Sequence, residues 1–580
     1  MNGRGRYNAD MRMGLLQLNA VLSDPEANAR RIEAAYGEAV AGGADLVLAP
    51  EMAVPGYLAE DRLWEAGLRR RIREASDRLA RIAGPVPLVF GTCSPSPSGR
   101  LFNELWWCEG GAVRAVVRKR ILAAYDVFDE TRWFDADPGT QPLVDFRGQR
   151  VGLSICEDLW ADSELTPGPV RYAFDPIADL AAQGATLVLN ASASPAHLGT
   201  WVPEGRDPSW RMMSKRVLRH RALAGHARRH GIPIAYGARV GSESWLCYDG
   251  GSGVAFPDGT WRGIEPFAES ISTVDLAERG APWPREEDEG LWLRRALGLG
   301  LKENFAKQGL EAAVVGMSGG LDSAVVVALA AEVLGPERVM GVALPTRFTS
   351  QESLDLARMQ AKTLGIRFLT LSADRPYEAA AAALAEAFPD RTFSLTDENL
   401  QSRARGALLM GLTTEPEVHR RLGTSRVAVL NTGNKSEAAT GYFTLYGDGI
   451  GAFGLLGDCL KQRVFALARE LGPAVPAGVL ARKPTAELAP GQSDEASLLP
   501  YRLLDAILAA YIETRRPQEH LLEDLAEVLE GQDLVQAREA VPRVLRLLRG
   551  SEFKRRQLPF ALKVSPRAFG RGRRIPLTGL

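Results

Sequence analysis

Short apolar runs of strand length alternate with helical stretches along almost the whole chain, and the alternation breaks once, at APWPREEDEG (281–290). Such a rhythm calls for sheets covered by helices, because a strand buried on one face needs a second layer. Before the break, strands are predicted over 13–19, 45–50, 87–92, 151–156, 186–191 and 232–238. Asp24 followed by Pro25 starts a helix that runs to about Ala41, where Gly42 and Gly43 stop it. After the break a fresh series begins: strand 312–317, helix 323–334, strand 339–344, helix 350–364, and strands 366–371 and 427–431. The break itself holds two prolines and four consecutive acids, the composition of a solvated linker. The expected organisation is therefore α/β throughout: a first domain over 1–275, a linker over 276–292 and a second, mostly parallel domain over 293–580.

Charge and cysteine content narrow the classes of function. Lys plus Arg is 70 and Asp plus Glu 71, so no global field favours nucleic acid, and none is expected as a partner. Apolar stretches are too short to span a bilayer, and the first twenty residues lack a signal-like apolar core; no membrane partner is expected. Five widely spaced cysteines without a CxxC argue against a disulfide framework or structural zinc and for a reducing cytoplasm.

Cys156 closes the strand VGLSIC, at the edge where α/β folds place their chemistry. Glu51 likewise ends LVLAPE, and Lys119 lies just past 113–118. A thiol needs a base or a nearby cation to attack, and a carboxylate plus an ammonium could supply both. Taken singly, each residue has a commoner structural reading: a packed thiol, a solvated acid, a solvated lysine. Their surroundings change the balance. PEMAVPGY, RKRILAAYDVFDETRWF and SICEDLW resemble, in order, the three signature blocks of the nitrilase (carbon–nitrogen hydrolase) superfamily. The resemblance implies a four-layer αββα fold with Glu51 as base, Lys119 as oxyanion stabiliser and Cys156 as nucleophile. It also implies Glu130 as a supporting carboxylate, Tyr125 and Ser194 at a glutamine amide, and hydrolysis of a carboxamide to ammonia. Two departures stand out. AAY replaces PNY before VFDE, and the text after NASASP carries an insertion, so no basic ligand for the glutamine carboxylate is assigned.

The second half has its own constellation. Strand AAVVGM leads into SGGLDS and then a helix. Glycines there let backbone N–H groups reach an anion, the helix N-terminus adds its positive end, and Asp322 could hold a metal beside phosphates. A bare SGG would be an ordinary strand-to-helix turn; the full SGGLDS resembles the PP-loop of ATP pyrophosphatases. LTDENLQSRARGALLMG, VLNTGNKSEAATGYFTLYGD and EFKRRQLPFALKV resemble successive NAD synthetase blocks. Together the two halves resemble the bacterial glutamine-dependent NAD synthetase family. The resemblance implies ATP contacts at Gly316, Met317, Ser318, Gly319, Gly320, Leu321, Asp322, Ser323, Thr432, Lys461 and Thr485. It implies Mg2+ on Asp322 and Glu437, and deamido-NAD facing Asn399, Arg405, Glu437 and Lys554. Without that context, Lys461 and Lys554 would read as surface lysines. L-glutamine, ATP and deamido-NAD are the implied substrates, with ammonia passed unprotonated along a dry route, and association of like subunits is expected.

Three features read as non-functional. Gly449, Gly451 and Gly454 fit GxGxxG, but no strong strand precedes them. His226 and His230 have i, i+4 spacing but arginine neighbours and no nearby carboxylate, so no metal site is expected. The run 211–230 carries seven Lys or Arg and no acid, and reads as a solvated helix face or a subunit contact.

Overall fold

The computed structural model describes residues 10–165, 170–278, 280–285, 287–482, 487–489, 499–514 and 516–578. The chain divides into two compact units: Met1–Ala196 with Lys215–Glu286, and His197–Ser214 with Glu287–Leu580.

In the first unit, β1 (Arg12–Gln17), β2 (Leu46–Leu48), β3 (Leu88–Pro95), β4 (Leu101–Glu109) and β5 (Ala112–Arg118) form one sheet. Its far edge is closed by β14 (Ser270–Asp275), in the order β14-β1-β2-β3-β4-β5. The second sheet contains β6 (Val144–Phe146), β7 (Gln149–Ile155), β8 (Leu187–Ser192), β9 (Ile234–Ala238), β12 (Gly253–Ala255) and β13 (Trp261–Gly263), in the order β13-β12-β9-β8-β7-β6. A ribbon of β10 (Val240–Glu243) and β11 (Leu246–Asp249) stands apart.

Alternation along each strand builds the layers. Met13 and Leu15 of β1, Leu46 and Leu48 of β2 and Val89 of β3 join Leu153, Leu189 and Val254 in a core between the sheets. Leu16, Val47 and Phe90, on the opposite face, meet α1 (Pro25–Ala41) and α2 (Ala66–Ile82). The second sheet turns Val188, Ile234 and Tyr236 outward onto α3 (Pro176–Ala182) and α4 (Lys215–His230). The result is the expected αββα order. The first helix also matches expectation: Asp24 accepts from the Ala27 N–H and Pro25 fills the first position.

The second unit holds a five-stranded parallel sheet of β15 (Ala312–Gly316), β16 (Val339–Ala343), β17 (Arg367–Thr370), β18 (Val427–Asn431) and β19 (Phe453–Gly454). The order is β17-β16-β15-β18-β19, so the chain winds outward in both directions from β15. That reversal opens a crevice at the carboxyl ends of β15 and β18, the usual binding position in such sheets. Helix α6 (Leu321–Leu334) packs on β15 and β16, and helix α5 (Glu289–Gln308) packs against α6. A further apolar core joins helices Tyr501–Leu508 and Gly531–Gly550.

The insertion after NASASP leaves the first unit at Ala196 and returns at Lys215. Between those points it packs wholly within the second unit. Leu198 N–H donates to the Val564 carbonyl at 2.9 Å, and buried Trp210 joins the Tyr501–Leu508 core while its indole N–H donates to the Asp524 carbonyl at 2.9 Å. The basic run beyond it departs only in part from the expected solvated face or subunit contact: Arg221, Arg228 and Arg229 are exposed, but two of its basic residues turn inward. Arg219 is buried on Asp249 at 2.8 Å, and the Lys215 ammonium lies 3.7 Å from the Trp160 ring centroid. Those partners lie far away in sequence, which hid the pairing. Among the described residues, no helix is long and apolar enough to cross a membrane.

Trp210 is the anchor of the excursion. Trp210→Ala should cost about 3–5 kcal/mol locally and release the 197–214 segment. Limited trypsinolysis should then cut at Arg206 or Arg211 in the variant while the parent resists.

Candidate active sites

Three strand ends of the first unit converge. Glu51 follows β2, Lys119 follows β5 and Cys156 follows β7. The Lys119 ammonium is buried between two carboxylates, 2.8 Å from Glu51 Oε1 and 2.6 Å from Glu130 Oε1. The carboxylates are themselves held. Asn103 Nδ2 and the Ala193 N–H each donate to Glu51 at 2.8 Å; Tyr57 OH and the Ala123 N–H donate to Glu130 at 2.6 and 2.8 Å. Burial works against the Lys119 charge, but Glu130 and Glu51 outweigh it and hold the ammonium well above its ordinary pKa.

Cys156 begins a 3-10 turn, Cys156–Trp160, with φ at 42°. A non-glycine residue in this region is strained, and such strain collects at functional sites. Asp158 pins the turn. Its Oδ2 accepts from the Ile155 N–H at 3.0 Å, and its Oδ1 accepts from the N–H groups of Arg120 and Ile121 at 3.1 and 2.9 Å. The nucleophile turn is thereby tied to the segment carrying Lys119. Burial lifts the Asp158 carboxyl to about 7. Burial, then the Glu51 charge, pushes the Cys156 thiol well above its ordinary value, with Lys119 opposing. The resting group is a neutral thiol that feels the Glu51 charge.

Tyr125 and Ser194 flank this centre. Tyr125 OH donates to Glu157 at 3.1 Å and acts electrostatically on Cys156. Tyr172 OH donates to the same Glu157 carboxylate at 2.6 Å. Ser194 is buried directly after Ala193, whose N–H holds Glu51. Sequence reasoning missed Asn103, Tyr57, Glu157, Asp158 and Tyr172, because each acts through a contact from a distant strand or loop.

In the second unit β15 ends at Gly316, and Met317 to Gly320 turn the chain into α6. Ser318 Oγ accepts from the Gly320 N–H at 3.2 Å, and Ser323 Oγ accepts from the Ser318 N–H at 3.3 Å. Gly319 has φ at 74°, and a Cβ there would lie 2.4 Å from the Ser353 carbonyl oxygen. Both the conformation and the space demand glycine. Asp322, in the first turn of α6, pairs with the Lys461 ammonium and accepts from Asn434 Nδ2 at 3.0 Å. Glu437 Oε1 stands 4.0 Å from the same ammonium. Lys461 is thus a buried cation between two acids and no surface lysine. Thr432 sits half-buried just past β18, on the same edge. Asn434, which the sequence reading missed, caps helix Lys435–Thr440 in a box with Glu437. Its N-x-x-E spacing was the available signal.

The remaining predicted residues form a looser group. Arg405 Nε donates to the Leu344 carbonyl at 3.0 Å, beyond the end of β16. Asn399 Oδ1 accepts from Thr444 Oγ1 at 2.8 Å, while Lys554 donates to the carbonyls of Gly441 and Phe443, both at 2.9 Å. Asn399 and Lys554 therefore meet on one loop, directly after the helix that carries Glu437. Thr485 lies outside the described residues.

Comparison with known proteins agrees with this two-part geometry. The carbon–nitrogen hydrolase family model matches residues 12–285 and the NAD synthase model residues 293–558. The chain is similar to the glutamine-dependent NAD(+) synthetase of Synechocystis, 35% identical over 97% of this chain and 98% of the relative. It is 39% identical to that of Xanthomonas campestris over 92% of this chain and 91% of the relative. The solved Acinetobacter baumannii glutamine-dependent NAD+ synthetase, in complex with adenosine diphosphate, superposes with a TM-score of 0.72 at 30% identity, covering 98% of each chain.

The approach of β3 to the Glu51 turn is tight. A Cβ at Gly91 would fall 2.3 Å from the Met52 nitrogen and 2.6 Å from the Glu51 carbonyl carbon. Gly91→Ala should displace Glu51, cost about 1–3 kcal/mol and abolish amide hydrolysis. Assays of glutamate release and thermal melting on the same sample check both outcomes.

Proposed function

The chain belongs to the glutamine-dependent NAD(+) synthetase family, and from that premise we propose how its residues divide the work. The protein is a ligase: it amidates deamido-NAD to NAD with ATP, using nitrogen from L-glutamine. Domain 1–275, apart from the 197–214 excursion into the second unit, is the amidohydrolase, 276–292 the linker and 293–580 the synthetase.

At the first centre Cys156 Sγ attacks the side-chain amide carbon of glutamine as Glu51 takes the thiol proton. The Lys119 ammonium faces the oxyanion, and Glu130 holds Lys119 in place. The C–N bond breaks, Glu51 returns the proton to the leaving nitrogen, and ammonia departs. Water, deprotonated by Glu51, then adds to the thioester carbon, the C–S bond breaks to release glutamate, and Glu51 returns the proton to the Cys156 sulfur. Tyr125 and Ser194 position the glutamine. The observation that supports this reading best is the buried Glu51–Lys119–Glu130 chain within electrostatic reach of Cys156.

At the second centre the deamido-NAD carboxylate attacks the α-phosphorus of ATP, forming an acyl-adenylate and expelling pyrophosphate. Ammonia then adds to the acyl carbon, AMP leaves, and a proton is lost to give the amide. Backbone N–H groups from Gly316 to Ser323 cradle the phosphates, with Thr432, Lys461 and Thr485 completing the ATP site. Asn399, Arg405, Glu437 and Lys554 face deamido-NAD. The Asp322 and Glu437 carboxylates form a hard oxygen donor set, already bridged by the Lys461 cation, and they fit Mg2+. When bound, the ion would neutralise charge on the phosphates. A cytoplasmic location and association of like subunits complete the proposal; five buried free thiols are consistent with the former.

Cys156→Ala should lower glutamine-supported NAD synthesis by about 10³-fold or more and leave ammonium-supported synthesis close to the parent's. Asp322→Ala should reverse that pattern, keeping basal glutaminase and losing NAD formation with either nitrogen source. Loss of both activities in a folded Cys156→Ala protein would defeat the division of labour. A second outcome concerns pH. Glu51 raises the Cys156 thiol, so Glu51→Gln should shift the pH profile of chloroacetamide alkylation downward, toward faster labelling at neutral pH. Glutamine hydrolysis should nonetheless fall by about 10²–10⁴-fold. An unshifted labelling profile would remove Glu51 from the thiol's surroundings.

A further inference from the structure

His226 and His230 lie one turn apart on the same face of α4, their rings stacked with centroids 5.9 Å apart. The start of α3 adds a third group that the sequence gave no reason to expect. Asp175 caps α3 with Oδ1, which accepts from the N–H groups of Ile177 and Ala178 at 2.9 and 3.2 Å. Its other oxygen, Oδ2, stands 3.9 Å from His226 Nδ1. One ligand atom from each of the three residues lies within 4.8 Å of the others.

The hydrogen bonding sets the tautomer. His226 Nε2 lies 3.1 Å from the Leu159 carbonyl oxygen. A carbonyl only accepts, so Nε2 carries the hydrogen and Nδ1 presents its lone pair. This is the outer bond by which ligating imidazoles are usually oriented. His226 is fully buried, and both His226 Nδ1 and His230 Nε2 are buried without a hydrogen-bond partner among the described residues. Leaving such atoms unsatisfied costs roughly 1–3 kcal/mol each. The other acid acting on the pair, Asp162, is engaged by Arg229.

We propose that Asp175, His226 and His230 form a binding site for one divalent transition cation of the zinc class, with water as fourth ligand. Two imidazole nitrogens and one carboxylate oxygen suit zinc, cobalt or nickel and not magnesium or calcium. Metal bonds of about 2.0–2.1 Å put tetrahedral ligand atoms roughly 3.3 Å apart, so the three groups must close by up to about 1.5 Å. Asp175 and His230 are only part-buried and can make that movement. The site is separate from the carboxylates beside the PP-loop. Its outer partner Leu159 lies in the turn that Cys156 begins. A bound ion would therefore brace the nucleophile turn from behind, joining it to α3 and α4 without touching substrate.

The test uses the full-length Cys156→Ala protein, which removes the active-site thiol as a competing ligand. After zinc loading and dialysis, elemental analysis should find one equivalent bound. Cobalt in its place should give the visible absorption of a four-coordinate ion. Zinc should also raise the first thermal transition. Asp175→Asn, which keeps the helix cap, and His230→Gln should each weaken binding at least tenfold and remove the thermal shift. X-ray absorption on the zinc-loaded Cys156→Ala protein supplies a readout that needs no change at the ligands: the shell should contain only nitrogen and oxygen, with scattering from two imidazoles. No bound equivalent, equal binding by both variants, or a sulfur shell would overturn the proposal.

Discussion

One buried ammonium organises the first unit. Lys119 has almost no contact with water, and its charge is tolerable only because Glu51 and Glu130 sit against it. Stripping water from an ion costs several kcal/mol, recovered only when geometry is good and the remaining lone pairs are filled. Here they are filled by Asn103, Tyr57 and the N–H groups of Ala123 and Ala193. Each comes from a different strand end or loop, so the ion pair forms only when two sheets are in register. Chemistry and fold share the same bonds. Removing one partner would strand a charge.

The second unit uses the same pairing for another end. Lys461 lies between Asp322 and Glu437, but these carboxylates keep nearly a fifth of their side-chain surface in contact with solvent. This acid pair held by a lysine is partly open to solvent, whereas the triad of the first unit is sealed. Lys435, beside that centre, shows the structural extreme. It is fully buried on Asp458 and Glu513 at 3.0 and 2.9 Å, and donates to Ser565 Oγ at 2.6 Å. Three lysines thus span a range from pure scaffold to open site, set by the solvent access of their acids.

Much of this was legible from the residues. Strand and helix positions followed from periodicity, Asp24 with Pro25, and the glycines after Ala41. The αββα order followed from a resemblance carried by a few blocks. Other features stayed hidden. The basic run 211–230 looked like a solvated face or a subunit contact, and Arg221, Arg228 and Arg229 are exposed, yet Arg219 and Lys215 find Asp249 and Trp160 inside the unit. The excursion 197–214 looked like a loop insertion and is a buried part of the second unit. His226 and His230 seemed to lack a carboxylate until the cap of α3 brought Asp175 beside them.

The sequence by itself determined which chemistry the chain can perform. A thiol, an ammonium and a carboxylate at strand ends, and a glycine–serine turn before a helix, are local facts carried by short words of text. Only the tertiary structure decided protonation and pairing. Whether a lysine is surface or centre, whether a thiol rests neutral, and whether two histidines meet an acid depend on burial and on neighbours many residues away. Solvent exclusion and Coulomb interaction act through space, and periodicity along the chain carries no record of them.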